Sequence, residues 1–106
     1  MISSIAAVEF FQRAGAYSAM KAALTNYSGA LAQELAPKKI RVNSISLGGV
    51  LRGQNKVFIK KYSQKTIMKR MARKEEIIGP VFFLISKDSS YITGQNILVD
   101  GGYSII

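Results

Sequence analysis

The 106-residue chain is 48% apolar, sets fifteen Lys and Arg against six Asp and Glu for a formal charge of +9, and contains neither Cys nor His. Without Cys there is no disulfide framework or thiolate metal site, and without His there is no imidazole-based triad and no ordinary zinc site, so Tyr is left as the best candidate base. No apolar run approaches the roughly eighteen residues of a membrane span and no basic-then-apolar leader opens the chain; a single-core, cytoplasmic protein is the expectation.

Residues 1–5 read as the end of a buried strand, and 6–15 as a loop in which Gly15 supplies a turn. From Ala16 to Ala36 the pattern is helical: Leu24, Tyr27, Leu31 and Leu35 recur at three and four, and the many Ala keep the surface thin enough for close packing until Pro37 stops it. That stripe is expected to be core or a subunit contact. On the same helix Tyr17 and Lys21 stand four residues apart and share a face. An ammonium beside a phenol favours the phenolate and lowers a pKa that starts at about 10, which makes Tyr17 a candidate general acid/base.

After a polar turn at Lys38-Lys39, the β-branched run Ile40 to Ile45 predicts a strand, parallel to the first, with Asn43 and Ser46 as structural polar groups near its end. The loop Leu47-Gly48-Gly49-Val50-Leu51-Arg52-Gly53 follows, at the strand edge where open α/β sheets bind ligands. Residues 56–72 mix apolar side chains with Lys and Arg at helical spacing and predict an amphipathic lid, with Met68 and Met71 as adaptable filler. Glu75 and Glu76 open another helix, expected to be buried through Ile77, Ile78, Val81, Phe82, Leu84 and Ile85, with Pro80 falling early in it. A turn at Asp88-Ser89-Ser90 leads to a last strand, Gln95 to Val99. Asp100 then reads as a turn former, and Gly101-Gly102 as a point where a side chain would obstruct the backbone.

Four segments taken together carry more than any one of them: Ser3-Ser4-Ile5-Ala6, the run Ala16-Tyr17-Ser18-Ala19-Met20-Lys21, Ile40 to Ile45, and Ile92 to Gly102. In this order they resemble the C-terminal half of a short-chain dehydrogenase/reductase over essentially the whole chain. The resemblance implies an α/β fold, the C-terminal portion of a doubly wound parallel-sheet Rossmann domain, incomplete because no glycine-rich strand–turn–helix for a pyrophosphate is present. Residues 1–106 would be one partial domain, a truncated piece doubtful as an enzyme by itself. In that family the active-site Ser lies thirteen residues before the Tyr, which selects Ser4 over Ser3.

The roles implied are a substrate hydrogen bond from Ser4, proton exchange by Tyr17, and a cofactor ribose contact from Lys21. Gly48, Val50 and Arg52 join Tyr17 and Lys21 against NAD or NADP, bound only with the other half present. No metal is implied. Substrates would be small secondary alcohols or ketones, sugar-related in the subgroup that the glycine loop and basic lid resemble. The 16–36 helix would join a four-helix dimer interface, with the C-terminal helix and strand as a second subunit contact in a homo-oligomer. Two positions depart from the family pattern: Leu47 stands where a loop-stiffening Pro is usual, and Arg52 where a Thr meets the nicotinamide carboxamide. Arg52 also suits a phosphate or an anionic substrate. Two other classes remain: a non-catalytic remnant acting as an interaction module through its long helix, and a nucleic-acid-binding piece built on the basic stretch Lys56–Lys74. No nucleic-acid motif accompanies those charges, which favours a solvated flap.

Overall fold

The computed structural model describes residues 1–106. Three short strands, β1 (Ile2–Ser4), β2 (Ser44–Leu47) and β3 (Asn96–Val99), form an all-parallel sheet in the order β1-β2-β3. Ile2 pairs with Ile45, and Ile45 with Ile97. Between β1 and β2 runs helix α1 (Gly15–Leu35); between β2 and β3 lie α2 (Lys56–Gln64) and α3 (Glu75–Ile85). The fold is α/β with a parallel sheet, as expected.

Small side chains hold the layers together. On β2 only Ile45 is a large buried apolar group; Ser44 and Ser46, both fully buried, each donate to Asn96 Oδ1 on β3, at 3.0 and 2.9 Å. A buried hydroxyl is tolerable only when it is paired in this way. Helix α1 docks on β1 by the same means: Ser3 Oγ donates to the Lys21 carbonyl at 3.1 Å, Thr25 Oγ1 donates to Ser3 Oγ at 2.9 Å, and Ser28 and Ala32 complete the buried face. Of the two expectations for the Leu24–Leu35 stripe, core or subunit contact, the structure excludes the core. Leu24, Leu31 and Leu35 are half-buried and Tyr27 is exposed, because the groups turned toward β1 are the small ones that let helix and strand approach closely.

Other expectations shift for identifiable reasons. The left-handed residue before α1 is Arg13 (φ 65°), while Gly15 is already helical. The second strand begins at Ser44, not Ile40. Residues 42 and 43 meet the Ile92–Gln95 turn instead of a ladder: Val42 N donates to Thr93 Oγ1, Asn43 Nδ2 to the Ile92 carbonyl, and Gln95 N to Asn43 Oδ1. Asn43 is thus the structural polar group expected.

Helix α2 stops at Gln64. Thr66, fully buried, donates from Oγ1 to the Ser63 carbonyl at 2.9 Å and accepts from Arg70 N at 3.2 Å, which closes the chain into a turn instead of a further helical turn. Met71 consequently lies in the core and Met68 on the surface. In α3 only Leu84 is buried; Ile78, Phe82 and Ile85 are 52%, 63% and 70% exposed, because a three-stranded sheet covers one edge of this helix and no more. The helix nonetheless runs unbroken through Pro80. Only 13 of the 106 residues are buried, so each enclosed apolar side chain, at about 1.5–3 kcal/mol, carries an unusual share of the stability.

Candidate active site

Both β1 and β2 end on the same edge of the sheet, and the loops leaving them face the first turns of α1. Ser4 closes β1 and its Oγ accepts from Ala6 N at 3.2 Å, capping the short 3-10 turn Ile5–Ala7. The hydroxyl proton of Ser4 remains free for another partner. One turn apart on α1, Tyr17 and Lys21 stand together, with Lys21 Nζ 5.8 Å from the Tyr17 ring centroid. The same ammonium donates to the Ile2 carbonyl at 3.2 Å, which ties its long stem to β1 beside Ser4.

A cleft of about 540 Å³ opens here, and all six sequence-derived residues line it: Ser4, Tyr17, Lys21, Gly48, Val50 and Arg52. Tyr17 is 45% exposed, accessible from the cleft without reorganisation. The glycine pair is shaped by its neighbours. A Cβ at Gly48 would lie 2.7 Å from the Asp100 Cα, and one at Gly49 would lie 2.6 Å from two ring carbons of Tyr62. Both amides are already engaged, Gly48 N with the Val99 carbonyl at 2.9 Å and Gly49 N with the Tyr62 hydroxyl at 2.5 Å. The glycine pair therefore offers a ligand no anion-binding pair of N–H groups. Gln54 fixes the rim by accepting from Arg52 N and donating to the Val50 carbonyl, each at 2.8 Å; the Arg52 side chain stays exposed.

Asp100 is the turn former expected. Its Oδ1 accepts from Gly102 N at 2.8 Å, and its Oδ2 from Ser104 N and Ser104 Oγ at 2.9 and 2.6 Å. Burial works to raise the carboxyl pKa, but these hydrogen bonds outweigh it and hold the group below the usual carboxylate range.

Sequence reasoning missed Tyr62, which reaches the cleft from α2. Its ring stacks on Tyr103 at 5.0 Å and lies 6.0 Å from Phe58; Tyr103 in turn lies 5.9 Å from Phe11 of the loop after β1. Burial, only partly opposed by the Gly49 N–H and reinforced by Tyr103 and Asp100, pushes its phenol up to about 12. The i,i+4 spacing of Phe58 and Tyr62 was the available signal.

A family model described as Enoyl-(Acyl carrier protein) reductase matches residues 1–104. The chain is 38% identical over 89 residues to Post-translational flagellin modification protein A of Campylobacter coli, covering 84% of this chain and 35% of that protein. It is 44% identical over 90 residues to the 3-oxoacyl-[acyl-carrier-protein] reductase FabG of Buchnera aphidicola subsp. Baizongia pistaciae, covering 81% of this chain and 37% of that one. Among solved structures, the short chain dehydrogenase of Leptospira borgpetersenii serovar Hardjo-bovis with bound NAD+ superposes with a TM-score of 0.93 at 39% identity, over 98% of this chain and 43% of its own. The chain belongs to the short-chain dehydrogenase/reductase family. It spans somewhat over a third of the length of the curated relatives it matches. As for the family's nicotinamide cofactor, the donors at the cleft, an ammonium and a phenol one helical turn apart, fit the hydroxyls of a ribose. The chain's own glycine loop does not fit a pyrophosphate, since both its amides are engaged.

Proposed function

We propose that residues 1–106 form the substrate and proton-transfer part of an NAD- or NADP-dependent oxidoreductase domain acting on a secondary alcohol or ketone. The observation that carries this is the convergence of Ser4, Tyr17 and Lys21, from two different elements, on one cleft. In the reducing direction Ser4 Oγ–H and the Tyr17 phenol both donate to the substrate carbonyl oxygen, and Tyr17 gives up its proton to that oxygen as it becomes an alkoxide. Lys21 sets positive charge beside the phenol as negative charge develops there, and its remaining N–H donors would hold the ribose hydroxyls of the cofactor. A nicotinamide bound beside them would supply or receive the hydride. Oxidation runs the same steps backwards, with Tyr17 taking the alcohol proton. The apolar remainder of the cleft, with Ile5, Phe11, Leu47 and Phe58, suits the carbon skeleton of such a substrate.

The similarity to a 3-oxoacyl-[acyl-carrier-protein] reductase supports carbonyl–hydroxyl chemistry. The test is a chimera in which residues 1–106 replace the matching 43% of the NAD+-bound relative. Cofactor-dependent turnover of secondary alcohols, abolished by Tyr17→Phe, is the expected result. A folded, cofactor-binding chimera without turnover would leave the alternative of a non-catalytic interaction module.

A further inference from the structure

Tyr62 makes one hydrogen bond and has the means to make two. Its oxygen accepts the Gly49 N–H, while its own O–H proton has no acceptor in the chain, although the ring borders the same cleft as Ser4 and Tyr17. A phenol is both donor and acceptor, and a hydroxyl proton left without a partner beside a half-apolar cleft is a binding group awaiting one. Its position is well determined. The ring is clamped between the Gly49 backbone and Tyr103, and the N–H of Gly49 fixes the oxygen, so the remaining donor is held in place without a ligand. The Asp100 carboxylate takes its hydrogen bonds from Gly102 and Ser104 and none from Tyr62. The hydroxyl stays protonated at any physiological pH, so it acts as a donor and not as a second base.

We infer that Tyr62 is a substrate-contacting residue whose phenol proton is donated to a second oxygen of the substrate, distinct from the oxygen that exchanges its proton with Tyr17. The inference rests on the oxidoreductase reading and narrows its substrate class. The compound carries another oxygen acceptor close to the reacting carbon, as a β-oxo ester or thioester or a polyol does, and is not a simple hydrocarbon ketone.

The experiment is an NMR titration of the 106-residue chain, read at the Gly49 amide, with ethyl acetoacetate and with 2-heptanone. The two probes have backbones of equal length, but only the first has a second oxygenated position. Tyr62→Phe, which keeps the ring on Tyr103 and Phe58, should weaken ethyl acetoacetate by about tenfold, the scale of one lost hydrogen bond, and 2-heptanone by less than about twofold. Phe11→Ala, which removes apolar lining of the cleft and leaves the Tyr62 hydroxyl in place, should weaken both probes alike. Equal losses of both probes in Tyr62→Phe, no loss of either, or no binding of either to the native chain overturns the inference. None of these readouts depends on turnover, so this contact and the hydride chemistry fail separately.

Discussion

Replacing Gly49 by Ala tests the geometry that closes the cleft. The added methyl would sit 2.6 Å from Tyr62 Cε1 and Cζ and 2.9 Å from Met71 Cε, where ordinary contact begins near 3.4 Å. Met71 is 2% exposed and has little room to retreat. The Tyr62 ring cannot slide freely either, since Tyr103 stacks on it at 5.0 Å and its oxygen is bonded to the very residue being changed. Overpacking of this kind costs about 1–3 kcal/mol, and breaking the Gly49–Tyr62 hydrogen bond adds about 0.5–1.5 kcal/mol. Against this, Ala restricts the unfolded chain and recovers about 0.4–1 kcal/mol. The net loss lies between about 0.5 and 4 kcal/mol and centres on about 2 kcal/mol, a drop in Tm on the order of 10 °C for a chain of this size by far-ultraviolet circular dichroism. Gly29→Ala is the control. It lies within α1 with nothing inside 4 Å of the new methyl, and should raise stability by about 0.5–1 kcal/mol. If Gly49→Ala melted within a degree or two of the native chain, Tyr62 would not be where the structure puts it.

Glu76, bonded first by the Arg70 guanidinium at 2.7 Å and then by Arg73 N, has its carboxyl lowered from 4.5 to about 2. A depressed acid contributes stability that is complete above its unfolded value and lost as pH falls through the folded one. Glu76→Gln should therefore flatten the acid limb of stability between about pH 4.5 and 2, and salt should weaken the effect because the pair is exposed, as urea titrations at several pH values will show. The exposed apolar face of α3, with Phe82 and Ile85, and the half-buried stripe of α1 should drive self-association visible by light scattering; Phe82→Lys and Leu31→Lys should each reduce it, and a monodisperse native monomer at high concentration would count against it. Calorimetry of the 106-residue chain with NAD(H) or NADP(H) should give no heat of tight binding, because no glycine-rich turn receives the pyrophosphate; micromolar binding would show that the site is built differently.

The order of elements and the convergence of Ser4, Tyr17 and Lys21 were legible because they rest on local signals: helical spacing, a β-branched run, and motif order along the chain. What escaped the sequence depends on distant partners. Asn43 gives its side chain to the Ile92–Gln95 turn and delays β2 to Ser44. Thr66 looks like an ordinary helix residue until its bond with Arg70 N ends α2. The Ile, Val and Phe side chains of α3 announce a buried helix, yet what decides burial is the number of strands available to cover it. Tyr62 was visible as part of an amphipathic pattern, but its place in the cleft comes from Gly49 and Tyr103, thirteen and forty-one residues away.

Steady-state kinetics of Tyr17→Phe measures directly whether Tyr17 moves the proton. In the chimera carrying a nucleotide-binding half, kcat should fall by at least about a hundredfold, the usual scale of a lost general acid/base, with cofactor affinity nearly unchanged, whereas Lys21→Ala should impair both. Near-native turnover in Tyr17→Phe would contradict the account and leave Tyr17 a structural residue on the cleft wall.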